Sequence, residues 1–518
     1  MEARTNAAPL EIPPPRLVEV VAAFSIATDL GLGQPMEHGF RSCLIATRLA
    51  ERLDLSDDDR SSVYWVALLA MAGCTADSRE MSELFGDDIE FRHGLYDVGP
   101  SSFALPRYFL ARAGAGGGPV QRVRTRGSLM RTGMRAVIEA YVADCHITGR
   151  FAERLGLGRG VSEPLEQKFA RWDGKGIPRG LAGEDILVAA RLLAMSTRLE
   201  HEHRLRGTDG ALAMLHRHAG AVLDPGLVRM LVPAVPEILE GLEDECWPTV
   251  LAAEPPRARL AGERLETALT ALGDFADLKS PWFTGHSRAV AELAEAAGWR
   301  LGLPDAEVTL VRHAALVHSL GRTGVANTIW DKRGTLSVSE RERMQLYPYL
   351  TGRILRRGSL AQLAEVASSS QERLDGSGYP RALSGAGITV AARLLAAADV
   401  YQALCEERPH RPAVPAADAA KLLRGEVREG RIDGDAAEAV LAATGHRPER
   451  QRSAPAELTE REVDVLRLIA RGRTSAEAAS ELGIQTKTVS SHIEHIYAKI
   501  GASNRSVATL FAMQHGLL

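Results

Sequence analysis

Between Thr486 and Ile500 the chain sorts its side chains with the period of a helix. Val489, Ile493, Ile496, Tyr497 and Ile500 fall on one side, and Lys487, Ser491, Glu494 and His495 on the other. An ammonium, a hydroxyl and an imidazole on one open face are groups that bond to base edges and phosphate oxygens, and Glu494 is either an acceptor for a cytosine amino group or a solvated carboxylate that repels phosphate. A second concentration of reactive types, His201, Glu202, His203, His216 and His218, has the chemistry of metal ligands, but its spacing spreads it over exposed helix faces. Cys43, Cys74, Cys145, Cys246 and Cys405 lie far apart with no CxxC pair, which points to free thiols rather than to a zinc site or a disulfide framework.

The polar face needs a compact scaffold, and the flanking residues predict one. Thr459 with Glu462, and Thr474 with Glu477, have the spacing of capping boxes that start two short helices. Gly483 supplies the left-handed turn into the helix that begins near Thr486, and Gly501 ends that helix. A fourth helix runs from Asn504 to about His515 with Val507, Leu510 and Phe511 on one side. Four short capped helices of this kind fit a helix-turn-helix domain, whose second element faces the major groove.

The stretch LTEREVDVLRLIARGRTSAEAASELGIQTKTVSSHIEHIYAKIGASNRSVATLFAMQHGLL, from Leu458 to Leu518, resembles the LuxR-type DNA-binding domain over its whole length. The resemblance implies the third helix in the major groove and phosphate contacts from Lys487, Thr488, His492 and Lys499. It also implies a homodimer formed through the fourth helix at Val507, Leu510 and Phe511. Ser490 belongs to the same expected DNA-binding set but stands where such domains often carry Lys or Arg, and seven Lys plus Arg face six Asp plus Glu between Leu458 and Leu518. Phosphate attraction is therefore expected to be weak, with a shallow salt dependence.

Upstream, the chain repeats itself. RWDGKGIPRGLAGEDILVAARLLA at Arg171 to Ala194 matches RLDGSGYPRALSGAGITVAARLLA at Arg373 to Ala396, and each copy follows an amphipathic run that opens on a histidine, His38 in the first and His286 in the second. The first unit ends near the Glu254-Pro255-Pro256 break. In the second, DLKSPWFTGHS, LVHSLGRTGVA, WDKRGTLSVSE, DGSGYP and AAADVYQAL occur in order, and from about Asp274 to Thr444 this resembles an HD-GYP domain. That family is an all-helical phosphohydrolase fold whose active members bind two or three metals and open cyclic dinucleotides, a chemistry that needs two ions held by His and carboxylate ligands.

The resemblance places ligands at His286, His318 and Asp399, with the turn Asp375, Gly376, Gly378, Tyr379 and Pro380 as the family's GYP loop. The position after His318, where the bridging Asp belongs, is Ser319. Tyr347 precedes Pro348 where a His-Pro is expected, and Ser370-Gln371 replaces paired histidines. Three surviving ligands are expected to be vestigial, with no cofactor or at most a single weak divalent metal, and with no catalytic residues. In the first unit Ala70 and Met71 occupy the positions of the His-Asp pair, which leaves no binuclear site.

The expected fold is all-α, two HD-domain-like helical units followed by a four-helix LuxR-type helix-turn-helix domain. Its parts are a disordered lead-in (1–15), a degenerate HD-like domain (16–256), a degenerate HD-GYP domain (257–445), a linker (446–456) and the DNA-binding domain (457–518). With 518 residues, 45% apolar and 25% charged, the composition is that of a multidomain globular chain, and a net charge of -4 restricts any DNA site to a local patch. The glycines of Ala113 to Pro119, with Arg122, Arg124 and Arg126 after them, predict a mobile loop. No secretory leader or membrane span is expected, which reads as cytoplasmic.

These features describe a non-enzymatic transcription regulator. Its expected partners are an inverted-repeat promoter site in double-stranded DNA, a second copy of the chain, RNA polymerase and an unidentified small-molecule ligand that acts on the HD body; no membrane partner is expected. The alternative is a cyclic dinucleotide phosphodiesterase with an attached DNA-binding domain.

Overall fold

The computed structural model describes residues 14–98, 104–132, 135–243, 245–257, 259–445, 456 and 458–518. Among them every regular element is a helix, as the abundance of Ala and Leu favours, and β-type pairing is confined to isolated bridges such as Phe169 with Ile177 and Asp375 with Ser384. The expected lead-in lies outside the described residues up to position 13. Pro14 and Pro15 are already anchored, for their carbonyls accept from Arg259 and from the Leu260 amide at 2.8 Å each. The expected linker lies outside the described residues apart from Ala456.

The two repeats have the same local form. Gly174 and Gly376 both take positive φ in the turn, a short 3-10 turn follows at Gly183–Asp185 and Gly385–Gly387, and a long helix then begins at Val188 or Val390. The first long helix, Val188–His218, breaks at Gly207, whereas the second, Val390–Cys405, is continuous.

Separate in sequence, the units are fused in space. One hydrophobic core runs from Leu17 through Val440. The helix Leu17–Gly31 of the first unit packs against the turn Leu320–Gly324 and the helix Tyr347–Leu355 of the second. Glu254, at the proline break, reaches back to the Val18 amide at 3.0 Å and to Arg16.

Buried ions also cross the boundary. Arg154 and Arg288 grip Asp274 from both units, each at 2.6 Å. Lys279 meets Asp88 at 2.6 Å with both side chains fully buried. Burial alone would raise the Asp88 carboxyl, but Lys279 and Arg92 hold it below its ordinary value.

The glycine-rich segment corrects an expectation. The helix Pro119–Thr132 occupies most of the stretch read as a mobile loop, because the glycine run ends at Gly118 and leaves only Gly127 inside the helix, proline is well placed to begin a helix, and Leu129 docks in the cluster of Phe85, Phe91 and Phe109.

At the carboxyl end the four helices are Glu460–Ala470, Ser475–Leu482, Thr486–Ile500 and Arg505–Gln514. Thr459 and Thr474 form the two capping boxes, and Gly483 and Gly501 adopt left-handed conformations at the helix ends. This domain has a small core of its own, built on Val463, Leu466, Ile469, Val489 and Ile496.

The Lys279–Asp88 pair yields a test of unit fusion. Lys279→Met removes the nearer of the two cations that face the buried Asp88, leaving Arg92 at 3.6 Å, and is expected to cost about 3 kcal/mol in chemical unfolding, while adding Asp88→Asn restores at least half of the loss. A single variant within 1 kcal/mol of wild type, roughly a factor of five in the unfolding equilibrium, would show that the units do not depend on it.

Candidate functional site

His286 opens the helix His286–Leu301 directly after Gly285, which is left-handed; His318 caps the end of the helix Asp305–Val317; Asp399 lies inside Val390–Cys405. Close packing brings the three elements together. A Cβ on Gly273, in the neighbouring helix Glu263–Asp277, would stand 2.5 Å from the Leu316 carbonyl, so only glycine lets that helix lie against the one that carries His318. One ligand atom from each of His286, His318 and Asp399 then falls within 4.8 Å of the others, and all three residues are buried. Among the described residues no other group of His, Cys, Asp and Glu converges in this way, and His201, His203, His216 and His218 do not.

The hydrogen bonds decide which nitrogen faces inward. His318 Nδ1 lies 2.6 Å from the Ala315 carbonyl, an acceptor with no proton, so Nδ1 carries the hydrogen and Nε2 keeps a lone pair. That Nε2 is buried without a hydrogen-bond partner, 3.6 Å from Asp399 Oδ1. His286 Nδ1 donates to Glu406 Oε2 at 2.8 Å, which turns its Nε2 toward Asp399 Oδ1 at 3.1 Å. An imidazole oriented by a carboxylate or carbonyl is the usual support of a metal-binding histidine.

Charges follow the geometry. Burial depresses the His318 pKa and keeps the ring neutral, as a ligand must be. Burial also works against protonation of His286, but Glu406 and Asp399 outweigh it and raise its pKa. Burial would raise Asp399 as well, yet the two imidazoles hold it well below the ordinary carboxylate range. Glu406 is pulled down to about 2 against its own burial by His286 and Arg408.

Further residues complete the site. Gln371 Nε2 donates to Asp399 Oδ2 at 2.5 Å, and Tyr379 of the GYP turn donates to Gln371 Oε1 at 3.2 Å. Asp375 folds back on Ser377 at 2.7 Å, outside the ligand cluster. Ser319 bonds to Ser287 at 2.7 Å, which donates to Asp277 at 2.8 Å. Arg322 is sandwiched between Phe283, 4.2 Å from the ring centroid, and Tyr347 at 5.5 Å, and its buried Nε and Nη1 have no hydrogen-bond partner among the described residues.

Sequence reasoning missed Arg322 and Glu406. A signal existed for Glu406, which follows Asp399 by two helical turns and so shares its face.

The first unit answers the same design differently. His38 pairs with Glu200 at 2.5 Å, but Ala70 and Thr197 stand in register with His318 and Asp399. Lys168, in register with Ser370, places its fully buried ammonium 2.6 Å from both Asp144 and the Ala70 carbonyl.

The second candidate site is the face of the helix Thr486–Ile500. Lys487, Thr488, Ser490, Ser491, Glu494, His495 and Lys499 are exposed, and His492 is half-buried. Two of the expected contacts are already engaged: Lys499 pairs with Glu462 at 2.7 Å, and Ser490 donates to the Thr486 carbonyl at 3.2 Å. The expected dimer face needs correction. Val507 and Leu510, with Met513, are 7%, 2% and 1% exposed because they pack into the core of the HD body, and Phe511 lies tilted against His515 with ring centroids 4.2 Å apart.

Comparison with known proteins agrees with this two-part construction. The HD domain family matches residues 146–227 and 270–436, and the luxR family of bacterial regulatory proteins matches 456–512. The 3'3'-cGAMP-specific phosphodiesterase 3 of Vibrio cholerae serotype O1 is 30% identical over 406 residues, which cover 77% of this chain and 88% of the relative. A crystal structure of a cyclic GMP-AMP-specific phosphodiesterase from V. cholerae superposes with a TM-score of 0.59 at 26% identity, over 84% of this chain and 99% of the other. The transcriptional regulatory protein YdfI of Bacillus subtilis is 44% identical over 72 residues, 14% of this chain and 33% of the relative.

The chain therefore belongs to the HD-domain family that contains these phosphodiesterases. It carries in addition a C-terminal DNA-binding domain of the luxR family. The expectation of a non-enzymatic chain is overturned by relatives that match most of its length and are named phosphodiesterases. No described helix is long and apolar enough to cross a membrane.

The reading face gives a second test. Lys487→Ala is expected to lower the slope of log affinity against log salt for duplex DNA by about 0.9, the share of one phosphate contact, and an unchanged slope would remove Lys487 from the contact set.

Proposed function

We propose that the protein is a transcription regulator whose second HD unit holds one divalent cation on His286, His318 and Asp399 and hydrolyses a 3'3'-linked cyclic dinucleotide there. The observation that carries this reading is the buried, unpartnered Nε2 of His318 directed at Asp399, beside a second imidazole oriented the same way. Such a lone pair is costly to bury unless something binds it. Names of relatives supply the substrate class.

The charge balance favours one ion. Asp399 and one phosphodiester together offset a divalent cation, whereas Ser319 is a neutral hydroxyl bonded to Ser287 and supplies no carboxylate to bridge a second ion. When bound, the cation supplies Lewis-acid polarisation of the phosphoryl oxygen and a more acidic water. The protein's own groups do the positioning. Arg322 offers two free N–H donors to a phosphate oxygen, and its aromatic sandwich fixes their direction. Glu406 and the Ala315 carbonyl hold the two rings, and Gln371 holds Asp399.

Gln371 and Tyr379 are the half-exposed members, so the dinucleotide enters from the side of the GYP turn. Hydrolysis adds water across one P–O bond and opens the ring to a linear dinucleotide. The DNA partner in this reading is an inverted-repeat promoter site, read by two copies of the exposed face around Lys487 and Ser491. RNA polymerase contact and cytoplasmic location belong to the same reading.

The test combines metal content and turnover. Purified protein is expected to retain about one manganese per chain and to linearise 3'3'-cGAMP on chromatography, by analogy with the ligand number of single-ion sites. His318→Ala should lose both, while Arg322→Met keeps the metal and loses about 10²-fold in turnover, the usual effect of deleting one charge-stabilising donor. Manganese-loaded protein that binds the dinucleotide without opening it would overturn the hydrolytic part.

A further inference from the structure

The loops that build the HD site also hold the DNA-binding domain. Glu406 and Glu407 are adjacent, and they face different ways. Glu406 orients His286, while Glu407 pairs with Arg473 of the DNA-binding domain at 2.5 Å. The segment Ser280 to Gly285, just before His286, is gripped in the same fashion. On its inner side Arg408, itself bonded to Glu406 at 2.7 Å, donates to the Trp282 carbonyl, and Phe283 lies under both Arg322 and Arg408. On its outer side Thr284 donates to the Ala470 carbonyl at 3.3 Å, Pro281 stands 2.9 Å from where a Cβ on Gly472 would lie, and Gly285 approaches Leu518.

The rest of the junction combines an apolar patch with polar contacts, among them His146 with Ser503 at 3.0 Å. Val507, Leu510 and Met513 join the core of the HD body, the helix Arg505–Gln514 lies against Arg135–Arg154, and Ser506 donates to the Ala76 carbonyl at 2.9 Å. The domain's private core, on Val463, Leu466, Val489 and Ile496, contains none of those three residues. Docking can therefore be lost without unfolding the domain.

We propose that this junction is a docking surface whose partner is the chain's own DNA-binding domain, and that a cation on His286, His318 and Asp399 tightens it. The second half rests on the single-ion reading given above. A ligand that fixes His286 Nε2 fixes the ring, the ring fixes Glu406 through Nδ1, and Glu406 fixes the backbone that presents Glu407 to Arg473. Less side-chain and loop freedom is then lost when the Glu407–Arg473 pair forms, so the occupied site favours the docked state. Linkage makes the effect reciprocal, and a docked domain raises the affinity of the HD site for the cation by the same factor.

The experiment uses the full chain and manganese alone. Val507→Cys places a thiol of similar size in the junction, and its labelling rate over the wild-type background reports undocking. Glu407→Gln is expected to raise that rate two- to five-fold, as befits a partly exposed ion pair, and Ser506→Arg, which forces a cation against Ala76, to raise it at least tenfold. Manganese is expected to slow labelling about fivefold, at the lower end of allosteric couplings, and Glu407→Gln should remove most of that response.

Unchanged labelling in both Glu407→Gln and Ser506→Arg would overturn the docking surface. Manganese that binds stoichiometrically but leaves the rate unchanged, or raises it, would overturn the linkage while leaving the HD-site reading standing. Absence of manganese binding would sink that reading and the linkage together, with the docking surface judged by the two variants.

Discussion

Each imidazole at the HD site has its Nδ1 committed to an acceptor that has no proton to give. The Glu406 carboxylate does this for His286 and the Ala315 carbonyl for His318. Both Nε2 atoms are consequently turned toward one carboxylate, His318 as the Nδ1–H tautomer and His286 as a ring with a carboxylate on each nitrogen. The constraint is local to two elements. Ala315 lies one turn before His318 in the same helix, and Glu406 follows at the end of the helix that carries Asp399. Helix geometry thus fixes ligand and support together, so the site persists while its surroundings vary, as Ser319 and Tyr347 show.

The two units solve one electrostatic problem in opposite ways. A helical core that converges polar groups must neutralise them, because an unpaired buried charge is expensive. In the first unit the cation is covalent. The ammonium of Lys168 sits against Asp144, whose attraction keeps it protonated although burial favours the neutral amine. In the second unit Ser370 stands in register with that lysine, no Lys or Arg among the described residues pairs directly with Asp399, and its ion-pair partners are His286 and His318. Among the described residues the first unit therefore neutralises its buried carboxylate with a lysine of its own, and the second leaves two histidines around Asp399.

Much of this was legible in the residues. Capping boxes, the glycine ends of helices and the periodicity of Thr486–Ile500 depend on neighbours within a few positions, and the structure follows them closely. The repeat at Arg171 and Arg373 likewise preserves its turn. What escaped was set by tertiary packing. Pro119–Thr132 is helical because Leu129 finds an aromatic cluster assembled from distant helices, and the glycines before it carry no sign of that. The face of Val507 and Leu510 reads as apolar in any context, so periodicity identifies a buried stripe without naming what covers it. Counting lost ligands at Ser319 and Gln371 likewise obscured the orientation of those that remain, since a hydrogen bond from Nδ1 to a backbone carbonyl has no sequence signature.

Electrostatics constrains how the two parts can communicate. Between Leu458 and Leu518 the charges nearly cancel, Lys499 is occupied by Glu462, and the whole chain carries -4, so long-range attraction to DNA is small. A reading head of this kind gains little from being made more or less positive. Its affinity depends instead on how many short-range contacts it can make at once, and therefore on how the head is oriented and on what accompanies it. A junction formed by Arg473, Ala470 and the Val507 face fixes that orientation, and it does so with loops that begin one residue away from His286 and Glu406. Control by position rather than by charge is the form of regulation that a nearly neutral DNA-binding domain leaves available.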